Sequence, residues 1–170
     1  EYPFMLETAI LGAGDVHEIL ADKILLAASA VQGIENVLPV TVLAHDADDG
    51  CTVANYYGTE LVLPISPHLA KGAAVNIAIR SSDIALSRQH LNGTSIQNQI
   101  KGRICAIIRT PEHALVQVDC GSTLLAGISP RALKQMSLHE GESVYCLVKA
   151  HAFSYIDPLV PRKQQNGRLY

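Results

Sequence analysis

Tryptophan is absent from these 170 residues, phenylalanine occurs twice and tyrosine six times. So few rings argue against a surface that stacks nucleic-acid bases. Charge is also scarce, 17% of residues with a formal net charge of −3, and no basic stripe tracks a phosphate backbone. No apolar run reaches the roughly 18 residues of a membrane span. The candidate run, residues 24–31, is too short, and no basic region precedes it as in a signal peptide. No nucleic acid and no direct membrane insertion are expected, and a reduced, cytoplasmic chain is. The four cysteines, Cys51, Cys105, Cys120 and Cys146, include no C-x-x-C pair, and the seven histidines are scattered. That spacing speaks against a zinc site or a disulfide framework. Cys105 and Cys146 lie inside apolar runs and are expected to be buried thiols. A G-x-x-x-x-G-K-[ST] phosphate loop and a G-x-S-x-G nucleophile turn are both missing. The chain is therefore expected to be no enzyme and to use no organic cofactor.

What is present is apolar material, 48% of the chain, enough for one medium domain or two small ones. Residues 15–30 set Val16, Ile19, Leu20, Ile24 and Ala27 at helical spacing. Asp15 is placed to cap that helix, Glu18 falls at the capping-box position and Gly33 would stop it. From Glu35 onward the texture changes to short strands and turns. Residues 38–44 form an apolar, β-branched run. Asp49-Gly50 is a hairpin signal, and residues 52–57 and 60–65 read as a strand pair about Gly58. Residues 74–80 make another strand. Further strands are expected over 99–108, 114–119, 123–128 and 143–150, with a short helix capped by Ser129 and opened by Pro130.

The second set repeats the first. Residues 36–42 parallel 98–104, residues 59–67 parallel 122–130, Lys71-Gly72 parallels Glu140-Gly141, and residues 75–80 parallel 144–149. The order strand, hairpin, short helix, strand fits a small OB-like barrel. Two copies are too few for a solenoid, so two barrels related by a pseudo-twofold axis are expected.

Small oxyanions are held by converging N–H and O–H donors with a cation. Residues 94–98 (TSIQN) offer two hydroxyls, two side-chain amides and a run of backbone N–H groups just ahead of the second unit's first strand. Lys149-Ala150-His151 ends the last strand of that unit, and pairing in a small barrel brings such a start and finish close. From the residues alone, the loop remains equally an ordinary polar connection. For three others the residues alone favour the plainer reading: Lys149 as a solvated strand end, Ser129 as a helix cap and His151 as a surface histidine.

These residues resemble a known family. Residues 94–102 (TSIQNQIKG) are similar to the opening T-S-[AI]-R-N-x-[LIV]-x-G of the molybdate-binding Mop, or TOBE, domain. Residues 121–129 (GSTLLAGIS) are similar to its G-x-x-L-x-A-x-[IV]-[ST], and residues 148–150 to its closing V-K-A. The likeness is strong over 94–152 and fainter over 34–82, while residues 14–22 (GDVHEILAD) are similar to the last helix of an ABC ATPase core. The resemblance implies an all-β chain: two OB-like Mop/TOBE β-barrel subdomains in tandem behind a short helical N-terminal leader. The implied divisions are a leader over 1–33, a first barrel over 34–90, a second over 91–153 and a C-terminal tail over 154–170.

By the same resemblance, the chain is the regulatory region of a molybdate importer's ATP-binding subunit. It binds molybdate or tungstate, senses intracellular oxyanion and mediates dimer contacts. The implied partners are a second copy, as a homodimer, and the importer's membrane permease, met through an ATPase domain outside this chain. The full-length protein would then be peripheral to the inner membrane. The oxyanion-binding residues implied are Thr94, Ser95, Ile96, Gln97, Asn98, Lys149, Ala150 and His151, with Ser129 across the interface. The family's arginine is Gln97 here, which removes a permanent cation and a bidentate donor. His151 stands where the family often has serine. In the matching first-half stretch, residues 33–36, Glu35 stands where a cation is expected, so the first half reads as structural or as a partner surface. A purely structural dimerisation module with a vestigial anion site is the alternative. Beginning at Glu1 and not Met, the chain is expected to be a piece of a longer protein.

Overall fold

The computed structural model describes residues 2–6, 9–14 and 34–156. It opens on an antiparallel pair, β1 (Tyr2–Leu6) and β2 (Ala9–Gly14), registered from Tyr2 opposite Gly14 to Leu6 opposite Ala9. The leader is thus not helical over these residues. Pro3, Gly12 and Gly14 are poor helix formers, and the chain turns back on itself instead. The helix expected over 15–30 lies outside the described residues.

Each half then lays down its strands in one order. The first has β3 (Glu35–Asp46), β4 (Cys51–Tyr56), β5 (Thr59–Pro64), β6 (Ala74–Arg80) and β7 (Ala85–Ser87). The second has β8 (Asn98–Arg109), β9 (Ala114–Asp119), β10 (Thr123–Ile128), the helix α1 (Pro130–Met136), β11 (Ser143–Val148) and β12 (Ser154–Ile156). Alternation drives the long strands. Along β3, Asn36, Leu38, Val40 and Val42 are buried while the intervening residues are half-exposed, the period-two signature of a sheet with one face on a core. Helix α1 begins as its chemistry dictates: Pro130 sits in the first turn and the Ser129 hydroxyl accepts the Ala132 N–H at 3.1 Å.

The repeat is exact in small details. Both long strands carry a bulge, between Val42 and Ala44 and between Ile104 and Ala106. Each is clipped from the side in the same way. The Gly72 and Gly141 N–H groups donate to the Val42 and Ile104 carbonyls, each at 2.8 Å. Both glycines hold a positive φ, +85° and +84°, which a residue with a Cβ adopts only at a cost. The second bulge also corrects one expectation. It turns Cys105 out to solvent, whereas Cys146 is buried as expected, and all four cysteines are free thiols.

Two antiparallel five-stranded sheets result, ordered β12-β6-β3-β4-β5 and β10-β9-β8-β11-β7. The terminal strands are exchanged. β7 leaves the first half to pair with β11 of the second, and β12 returns to pair with β6 of the first. Residues 154–156, assigned by sequence to the tail, are therefore part of the first half's sheet. Each crossing uses one 3-10 turn, Ser81–Asp83 and Ala150–Ala152, followed by a buried apolar plug, Ile84 or Phe153. Both plugs belong to a single connected core drawn from both halves.

A second reciprocal link is polar. The Asn36 side chain accepts the Leu125 N–H at 2.7 Å and donates to the Leu125 carbonyl at 3.0 Å. Asn98 does the same to Val62, at 2.7 and 2.9 Å. β5 and β10 are edge strands, and each amide supplies the peptide-like partner that the edge lacks. The hairpin tips also meet, through a hydrogen bond between the Tyr56 and Ser122 hydroxyls.

Candidate functional site

The ladder between β8 and β11 ends with Asn98 opposite Val148. Extending that ladder by one residue sets Gln97 against Lys149, so the loop before β8 and the turn after β11 share one corner of the second half. Backbone at the corner is fixed by local bonds. The Ala152 N–H donates to the Lys149 carbonyl at 3.0 Å. The Thr94 hydroxyl accepts the Ile96 N–H at 3.2 Å. Gln99 is a fastener that motif reading passed over: its amide accepts from the Leu91 N–H and donates to the Leu91 carbonyl, both at 2.8 Å. A glutamine on a strand's outward face gives no sequence signal for such a role.

Of the residues singled out by sequence, Thr94, Ser95, Gln97, Lys149 and His151 are exposed at this corner, while Ile96 and Ala150 are half-buried. Asn98 differs. It is 1% exposed and its carbonyl and one N–H are engaged by Val62, so it positions the loop against β5. Ser129 is not brought to this corner within one chain. It follows Ile128, which pairs with Ala114, itself opposite Arg109 at the far end of the twelve-residue β8.

The first half has a matching corner. Glu35 pairs with Arg80 and Asn36 with Ile79. The buried Ser81 follows, its N–H donating to the Ile34 carbonyl at 2.8 Å. Arg80 takes the place of Lys149, Ser81 that of Ala150 and Glu35 that of Gln97.

A separate ionic cluster steadies the linker that follows β7. Arg88 donates to the Glu142 carboxylate and, at 3.3 Å, to the Ser137 carbonyl, while His139 Nδ1 lies 2.8 Å from the same carboxylate. The Arg88 hydrogen bond, opposed by partial burial and helped by His139, pulls the Glu142 carboxyl down to about 2. Burial pushes the Tyr56 hydroxyl well above its usual range. Among the described residues no group of three or more His, Cys, Asp or Glu side chains could hold a metal ion, and no helix is long and apolar enough to cross a membrane.

The TOBE domain family matches residues 94–153, from the corner loop to the plug that follows the Lys149 turn. The molybdenum import ATP-binding protein ModC of Albidiferax ferrireducens is 30% identical over 118 residues, covering 68% of this chain and 32% of that protein. ModC of Rhodopseudomonas palustris is 31% identical over 153 residues, covering 85% of this chain and 40% of the relative. The chain spans about a third to two fifths of the length of these curated relatives. A structure of the cytoplasmic molybdate-binding protein ModG with molybdate bound superposes with a TM-score of 0.64 at 19% identity, covering 72% of this chain and 96% of ModG, a likeness of fold. The paired five-stranded sheets, the motif-bearing corner and these relatives together identify the chain as a Mop/TOBE region with its TOBE domain at residues 94–153.

Proposed function

We propose that this chain is an oxyanion-binding regulatory region of a molybdate importer's ATP-binding subunit. The observation that carries the reading is the register of Asn98 against Val148, which supports a shared corner for the loop 94–97 and Lys149. There the Ser95 hydroxyl, the backbone N–H of Ala150 and the Gln97 amide supply donors and Lys149 supplies the cation, while Ile96, its N–H held by the Thr94 hydroxyl, shapes the loop. His151 adds a ring N–H, and Thr94 and Asn98 hold the loop in place. A tetrahedral dianion such as molybdate or tungstate suits several neutral donors around one positive charge. Ser129 joins only from a second copy of the chain, which makes a homodimer part of the reading. Through the ATPase portion of the whole protein the partner is the importer's permease. Sensing then means that bound oxyanion favours one arrangement of the dimer over another.

Calorimetric titration with molybdate, tungstate and sulfate tests this. Heat with molybdate or tungstate that disappears in Lys149→Met is expected. Absence of heat with all three anions at millimolar concentration overturns the reading. A purely structural dimerisation module is favoured by one observation, the engagement of the Asn98 amide by Val62. It predicts an anion-independent dimer on size-exclusion chromatography.

A further inference from the structure

The two halves present the same backbone corner with different charges. Each corner is built by an asparagine clasped onto the opposite half's edge strand, a basic residue at the end of a strand, and a 3-10 turn after it. In the second corner, one step past the last paired residues Asn98 and Val148, the position facing Lys149 falls to the neutral Gln97. In the first corner it is Glu35, which the register sets directly opposite Arg80. Cross-strand neighbours at such a pairing have Cβ atoms about 5 Å apart. The carboxylate therefore lies within reach of the guanidinium that an incoming anion would need. Glu35 is half-buried, which limits how far water can screen it.

From this we propose that Glu35 is a built-in anion. It neutralises the first corner, so that each chain takes up one oxyanion and not two. The inference rests on the oxyanion reading of the second corner and concerns what separates the two. The first corner is otherwise well furnished. Arg80 is a planar, multi-donor cation, a better partner for an oxyanion than Lys149. Removing one negative charge should therefore leave Arg80 without a carboxylate opposite it and free that corner for an anion.

The test is calorimetric stoichiometry with molybdate on the full chain, comparing the unaltered protein with Glu35→Gln and Gln97→Glu. The expected result is one equivalent per chain for the unaltered protein and two for E35Q. Q97E, which installs the carboxylate in the second corner, should weaken uptake by about tenfold or more. The circular dichroism spectrum and melting temperature of each variant report that it is folded. Two equivalents in the unaltered protein, or one in both it and E35Q, overturn the inference and leave the oxyanion reading standing. No uptake by the unaltered protein or by E35Q sinks both.

Discussion

Replacing Asn98 with alanine removes two hydrogen bonds that tie β8 of the second half to β5 of the first. The side chain is 1% exposed and its bonds to Val62, at 2.7 and 2.9 Å, satisfy an N–H and a carbonyl on a strand edge. Each net bond is worth about 1 kcal/mol, with a further penalty for leaving a partly buried group unpaired. Because Val62 is only half-buried, water recovers some of that penalty, and the expected loss is about 2–3 kcal/mol. For a chain of this length that is a fall in melting temperature of roughly 4–12 °C. Asn98→Asp sharpens the test. The introduced carboxylate can still accept the Val62 N–H but presents an oxygen to the Val62 carbonyl, so at neutral pH it should destabilise more than alanine does. Its folded pKa should be raised, since a protonated carboxyl can donate to that carbonyl, and stability should recover as pH falls. Urea denaturation of both variants at neutral and acid pH measures this. A change below about 0.5 kcal/mol for N98A, within the range of ordinary surface substitutions, refutes the clasp as a stabilising link.

Two further expectations concern packing and charge. In Gly102→Ala the new methyl would lie 2.5 Å from the Cys120 sulfur and 2.6 Å from both the Asp119 carbonyl oxygen and a Val118 methyl. Overpacking of this kind costs about 1–3 kcal/mol, and because the Asp119 oxygen is backbone, a second change at Cys120 should rescue only part of it in thermal melts. The carboxyl of Glu142 is depressed from 4.5 to about 2, so its stabilisation is present above pH 4.5 and is lost as pH falls toward 2. The Arg88 side chain is 46% exposed, so solvent screens the pair, and Glu142→Gln should cost under about 1 kcal/mol at neutral pH and flatten the acid limb of a stability–pH curve. An unchanged acid limb refutes the Arg88 contact.

Much of the architecture was legible because long strands write their pattern plainly. The apolar, β-branched run over 38–44, the Asp49-Gly50 turn and the Ser129-Pro130 helix start are local facts with local causes, and each structural element appears where those residues ask for it. The repeat was visible as well, through paired features such as Gly72 and Gly141. What the sequence concealed depends on distance. β7 and β12 are three residues each, too short to show a period, and their partners lie in the other half. Asn36 and Asn98 matched in the repeat, but nothing in either says that its amide reaches across to Leu125 or Val62. The exposure of Cys105 follows from one extra residue in β8, which reverses a side chain without altering composition. At the candidate site, the motif located the loop and the lysine, while the fastening by Gln99 came only from seeing where its side chain goes.

The reciprocal loan of β7 and β12 bears on how such a chain can be divided or have arisen. A cut in the linker near Gly93 leaves two pieces, each carrying the last strand of the other's sheet and lacking its own. Neither should be stable in isolation, yet the two, mixed, hold every part needed to reconstitute the whole. The same logic applies to a single unit made without its twin: two identical copies could satisfy each other by trading those strands. An ancestor that paired in this way before its gene doubled would have required no new interface, only a connection long enough to join two partners already interlocked.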